Sequence, residues 1–284
     1  MGAWVSSMDG RERPTGLGDL PESCVAEVLV RLDPPEIGRF ARLSRTFRAA
    51  ASADFVWEAK LPANYRYLME KAPGEESSKH GFGPREIFAK LCRPNRFDAD
   101  TKEFWLEKYT GGFCMLISSK ALTITGINDQ RYWNYIPTNE SRFHVVAYLQ
   151  QIWWLEVRGE IEFCFPEGTY SLFFRLHLGR ASKRLCRRVC SHEHIHGWDI
   201  KPVHLQLSTS DCQHAQTKRY LDKPGSWILY RVGDFVVKNS SAPTKVKFLM
   251  NQIDCTHTKG GLCVDSVLIC PKDFRKERVL HMFR

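Results

Sequence analysis

The sequence predicts an α+β, multidomain chain: a small N-terminal three-helix unit, a short helical connector and a C-terminal antiparallel β-sandwich. Three observations carry this. Apolar residues recur at helical spacing over residues 18–51, the period falls to two from Phe113 onward, and a polar stretch bearing Gly and Pro, residues 73–84, lies between. A length of 284 residues suits two modest units, and 43% hydrophobic with 26% charged residues is enough to give each a core. The boundaries drawn from these shifts are a flexible tail at 1–15, a helical unit at 16–62, a connector at 63–102, a sandwich at 103–272 and a basic tail at 273–284.

In the first unit, Asp19 stands where an N-cap is expected and Pro21 falls in the first turn, where its missing N–H costs nothing. Val25, Val28, Leu29 and Leu32 then mark one face of an amphipathic helix, which Asp33-Pro34-Pro35 ends. Ile37, Phe40, Ala41 and Leu43 predict a second helix, and Phe47, Ala50 and Ala51, running on toward Phe55 and Trp57, a third. Three helices in about 45 residues make too small a body to hide all their apolar surface. The connector is expected to hold helical segments around residues 65–71 and 85–92 with an exposed loop between them.

Strict alternation then takes over. Over residues 153–163 the odd positions Trp153, Leu155, Val157, Ile161 and Phe163 are apolar, which puts Trp153 and Trp154 on opposite faces of one strand with one of them in the core. Over residues 170–178 the even positions are apolar, and shorter alternating runs follow at 203–207, 227–232, 235–237, 246–249 and 262–269. Short strands punctuated by Gly, Pro, Asn and Ser predict the sandwich.

Charge and motifs narrow the function. The net charge of +9 is uneven: residues 1–102 hold 16 basic and 15 acidic side chains, so +8 belongs to the second half. No run approaches the roughly 20 apolar residues of a membrane span, and a basic-then-apolar secretory pattern is not seen, so the chain is expected in the cytoplasm and nucleus with its ten cysteines reduced. Met1-Gly2-Ala3-Trp4-Val5-Ser6 fits the N-myristoylation pattern at Gly2, and a membrane is a partner only if that acyl chain is added.

Cys186, Cys190, His192, His194 and His196 offer zinc-type donors, but no second Cys/His pair at finger spacing completes a tetrahedral set, so no metal and no cofactor are expected. Arg180, Lys183, Arg184, Arg187 and Arg188 read as a solvated basic loop, and Glu160 with Glu162 as a wet sheet face. Nucleophile elbow, phosphate loop and metalloprotease signatures are all missing, so nothing argues for an active site, and nucleic acid is not an expected partner.

Two resemblances give these units an expected role. Leu20-Pro21-Glu22-Ser23-Cys24-Val25, continuing through Leu29, Leu32-Asp33-Pro34-Pro35-Glu36-Ile37, Ala41-Arg42-Leu43-Ser44 and Trp57, resembles an F-box. That resemblance implies docking on a Skp-type adaptor, and through it a cullin, with Leu20, Pro21, Val25, Leu29, Ile37 and Leu43 divided between that interface and the small core. Spacing alone does not divide them.

Ala121-Leu122-Thr123-Ile124-Thr125, Arg131-Tyr132-Trp133, Trp154-Leu155-Glu156-Val157 and Thr258-Lys259-Gly260-Gly261-Leu262-Cys263-Val264-Asp265 resemble the phloem protein two (Nictaba-like lectin) family, A-type, of plant F-box proteins. The resemblance implies a jelly-roll-like lectin domain with two sugar-stacking tryptophans on the loop after the Ile-Thr strand. Trp133 matches the second; the first falls at Gly126. Tyr132 and Tyr135 are expected to supply another platform, with Asp129, Lys259 and Asp265 as polar contacts to a glycan or protein client. Together the resemblances imply a non-catalytic substrate-recognition subunit of a ubiquitin ligase. The alternative is a free-standing carbohydrate-binding protein without a ligase role.

Overall fold

The structure, a computed structural model, describes residues 20–73, 81–184, 187–191 and 194–274, with the backbone alone for 180–184 and 187–191. Gly2, the 1–15 tail, Asp19 as an N-cap and residues 275–284 of the basic tail lie outside the described residues.

Pro21 occupies the N-cap position of α1 (Glu22–Leu29). Val25, Ala26 and Leu29 are buried, but Val28 is 50% exposed, so the inward face is narrower than the sequence spacing suggests. α2 (Pro34–Phe40) begins on prolines whose fixed φ suits a first turn, and it buries Ile37. The expected third helix is two. α3 (Arg45–Ala50) is capped by Ser44, whose Oγ accepts from Phe47 N at 3.2 Å, and α4 (Asp54–Glu58) restarts after Ala53 adopts an extended backbone. Trp57 Nε1 donates to Ala51 O at 2.7 Å and fixes the angle between them.

The connector helices α5 (Tyr65–Lys71) and α6 (Pro84–Leu91) fall where expected. They do not form a hinge. Trp57 of α4 packs on Phe88 of α6 with ring centroids 5.6 Å apart, Tyr67 of α5 meets Phe163 edge-on at 5.0 Å, and Asn64 Nδ2 donates to Cys164 O at 2.7 Å. One hydrophobic core therefore runs from Val25 and Leu29 to the centre of the sandwich.

β1 (Asn95–Phe97), β2 (Lys102–Leu106), β3 (Phe113–Ser118), β4 (Thr123–Ile124), β5 (Trp133–Pro137) and β6 (Val145–Leu149) lead into the long strands β7 (Leu155–Phe163) and β8 (Gly168–Leu178). β9 (Arg180–Arg184) and β10 (Arg187–Ser191) form a hairpin, so the basic run expected as a loop is paired backbone, with Lys183 opposite Arg188. β11 (Val203–Thr209), β12 (His214–Arg219), β13 (Trp227–Val237), β14 (Thr244–Gln252) and β15 (Leu262–Pro271) complete the chain. The two runs expected at 227–232 and 235–237 are one strand, joined by a bulge between Arg231 and Gly233.

All strand pairs within the two sheets are antiparallel. In the larger sheet β15 is central: β8 and then β13 lie on one edge, while β6 and β3 share the other, pairing with Leu262–Val264 and Ser266–Ile269 respectively. The smaller sheet has the order β12-β11-β14-β7-β4. Phe174 of β8 meets Phe248 of β14 edge-on at 5.9 Å across the interior, and Phe113, Phe163, Phe165, Tyr170 and Phe235 close the end next to the connector. The outer side of the larger sheet is also covered, by the segment before β6: Arg142 stacks 4.7 Å over Trp105, and Trp227 donates to Glu140 at 2.8 Å.

Candidate functional site

Two surfaces stand apart chemically. On the helical unit Leu20, Val28, Leu43 and Phe55 are exposed beside Pro21, with Leu43 at 68%. The six residues expected at the adaptor interface are now divided. Leu20, Pro21 and Leu43 face out, whereas Val25, Leu29 and Ile37 are enclosed and serve the core beneath them.

The second surface is the end of the sandwich formed by the segments at 125–132, 150–154, 194–201 and 253–261. Trp153 and Trp154 are 53% and 46% exposed, which corrects the expectation that one of them is core. Their chain bends before β7 begins, so the alternation that would have turned Trp153 inward does not extend to it.

Their backbone is held firmly. Ile152 and Lys259 exchange two backbone hydrogen bonds of 2.9 Å. The Lys259 side chain, fully enclosed, donates to Trp153 O at 2.7 Å, Gln252 O at 3.0 Å and Asp254 O at 3.1 Å. All three ammonium hydrogens are thereby used. Burial lowers the Lys259 pKa from its ordinary value. Asp254 is held well below the usual carboxylate range by hydrogen bonds from Thr256 and by Lys201, 3.2 Å away.

The other expected contact residues separate in the same way. Tyr132 and Tyr135 are exposed. Asp129 lies at the surface and is bound by Arg131 at 2.6 Å, which lowers its pKa. Trp133 is buried and donates to Thr125 O at 3.0 Å, which braces the segment from beneath. Asp265 is buried against Arg175 at 2.7 Å and accepts from Ser266 at 2.7 Å, on the outer side of the larger sheet. Trp133, Lys259 and Asp265 are therefore closed to solvent in this structure and offer no surface to a client, a correction to their expected contact role.

At Gly126 the backbone has φ +78°, and a Cβ there would lie 3.3 Å from the Tyr132 ring and 3.7 Å from Ile152. Tyr132 thus occupies the space beside the position where the resemblance expects a tryptophan. Among the described residues no three His, Cys, Asp or Glu side chains gather to hold a metal; Cys186 and His192 lie outside them. Trp154, Ile253 and Ile200 were not named as site residues from the sequence, and two adjacent tryptophans at a strand entrance were the available signal.

Residues 112–271 match the Phloem protein 2 family model and residues 17–58 the F-box domain model. F-box protein PP2-A13 of Arabidopsis thaliana is 60% identical over 270 residues, covering 95% of this chain and 93% of that protein. F-box protein PP2-A15 of the same plant is 53% identical over 299 residues, covering 99% of each. Among solved structures, a family 35 carbohydrate binding module from Clostridium thermocellum is 9% identical, the match covering 54% of this chain and 96% of that one with a TM-score of 0.30.

Proposed function

Because the chain belongs to the phloem protein 2 family and bears an F-box ahead of that domain, we propose that it is the substrate-recognition subunit of a Skp–cullin–F-box ubiquitin ligase. In this role the helices dock on the Skp-type adaptor and the sandwich holds a glycoprotein or protein client. The subunit itself performs no chemistry: it raises the effective concentration of client near the transferred ubiquitin. The observation that carries the reading is the division within the helical unit. Val25, Leu29 and Ile37 complete a core, and Leu20, Val28, Leu43 and Phe55 are left outside it on a unit too small to cover them.

Co-expression with a plant Skp-type adaptor tests it. The intact chain is expected to co-purify with the adaptor, and Leu20→Asp combined with Leu43→Asp to abolish that while the melting temperature is unchanged. Failure of the intact chain to associate, or association undiminished in the double variant, refutes the docking. In that event the free-standing carbohydrate-binding reading takes over.

A further inference from the structure

The end of the sandwich that bears Trp153 and Trp154 is where several chain segments are tied to one another. Lys259 Nζ reaches the carbonyls of Trp153, Gln252 and Asp254, and Gln252 Nε2 donates to Lys201 O at 2.6 Å. These bonds gather the backbones that carry Trp153, Trp154, Ile200 and Ile253, side chains between 46% and 53% exposed. Four large apolar side chains thus stand in water on braced chain, a patch that invites a cover.

Cations flank the patch on two sides. Lys201 lies two residues before Val203, which pairs with Arg219 at the end of β12. Lys218, Arg219 and Lys223 are exposed there around Tyr220, and none of the three cations has an ion pair among the described residues. On the other side, Gly179 N donates to Gly261 O at 2.7 Å and Gly260 N to His196 O at 3.2 Å. The chain entering the β9–β10 hairpin and the chain leaving it therefore both cross beside Lys259. Gly225 N, donating to Leu178 O at 3.0 Å, joins the loop of Lys223 to the same foot. Residues 180–191 hold five Lys or Arg and no Asp or Glu. The hairpin register sets Arg184 opposite Arg187 and Lys183 opposite Arg188. Like charges directly opposite one another are destabilising, and an anionic surface outside the sheet would relieve them.

We propose that this end of the sandwich is a peripheral contact for an anionic lipid bilayer. Trp153, Trp154, Ile200 and Ile253 enter the interface, and the flanking cations meet the headgroups. The contact goes beyond the ligase reading and needs neither adaptor nor client. It also needs no acyl chain at Gly2, through which alone the sequence admitted a membrane. Three features select a bilayer. Indole rings, apolar with a single N–H, settle at headgroup level. Isoleucines gain from leaving water but offer nothing to phosphates or to stacked bases, which sets the patch apart from a nucleic-acid surface. The flanking charge is mostly of one sign, as a layer of anionic headgroups demands: Asp254 is paired with Lys201, and Asp199 and Asp222 offset only part of the rest.

Co-flotation of the full-length, unacylated chain with lipid vesicles tests the proposal. The chain is expected to float with phosphatidylcholine vesicles that contain phosphatidylserine, far less with phosphatidylcholine alone, and to be released as salt is raised. Trp153→Ala with Trp154→Ala should lower the partition coefficient about tenfold. Lys218→Gln, Arg219→Gln and Lys223→Gln together should lower it about a hundredfold, roughly fivefold for each cation removed. Val236→Ser, at the connector end where Val236 pairs with Thr169, should leave it unchanged. Vesicles brominated on their acyl chains should quench the tryptophan fluorescence of the parent more than that of the double tryptophan variant. All of the substituted side chains are exposed, and matched melting temperatures exclude a folding defect. No flotation with anionic vesicles, equal flotation with neutral ones, or flotation indifferent to either set of substitutions would overturn the proposal. So would RNA or a protein held by these residues while vesicles stay bare. Adaptor co-purification is expected to be the same in every variant, so this contact and the ligase reading fail separately.

Discussion

The helical unit and the sandwich break the usual rule of burial in opposite directions. The helices leave Leu43 and Val28 in water, while the sandwich takes Lys259, Arg175 and Asp265 out of it. An exposed leucine on a small domain stabilises nothing until a partner covers it. A buried lysine with three carbonyl partners holds segments in place that have little regular structure of their own. The first inversion marks where a surface is to be used, and the second how a surface is held ready.

Substitutions can separate the two. Lys259→Met removes all three hydrogen bonds, one of them to the buried Gln252 carbonyl, and a loss of about 3 kcal/mol is expected in urea denaturation. A loss under 1 kcal/mol would show that the ammonium is not the brace. Leu29→Ala opens a cavity in the helical core and should cost about 3 kcal/mol, read as a lower urea midpoint, with docking retained where the chain is still folded. Its neighbour Val28→Asp should do the reverse: less than about 0.5 kcal/mol of stability, but roughly 2 kcal/mol of adaptor affinity by titration.

The smallest effect is a pH dependence in the sandwich. Burial lowers the pKa of His177, whose Nδ1 lies 2.9 Å from Gly179 O and whose ring meets Trp227, with the Arg175 cation nearby. A lowered folded pKa means that the unfolded chain takes up the proton first. Its contribution is present above the unfolded value of about 6.5 and is lost as pH falls through the folded one. Denaturation midpoints from pH 7 to 5 should fall less steeply in His177→Gln than in the parent.

Much of this was legible in the sequence where one side of an element faces water. The alternation in β7 and β8 and the spacing of Val25 and Leu29 located elements and core. Legibility failed where burial is two-sided or where the partner is backbone. β3 is buried at every position from Phe113 to Ser118, so it shows no period of two. Lys259 and Asp265 read as surface because their residue types usually are; the carbonyls that enclose Lys259 are invisible in a list of side chains. The break between α3 and α4 lies at Ser52-Ala53, with neither Gly nor Pro to announce it.

The shared core between the helices and the sandwich has a consequence for quality control. With Trp57 packed on Phe88, and Tyr67 on Phe163, heat is expected to melt the two halves in one cooperative transition. In the proposed role, a molecule whose sandwich has come apart would then lose the ordered helical face as well, and damaged copies would leave the ligase instead of lingering on it as empty competitors for the adaptor.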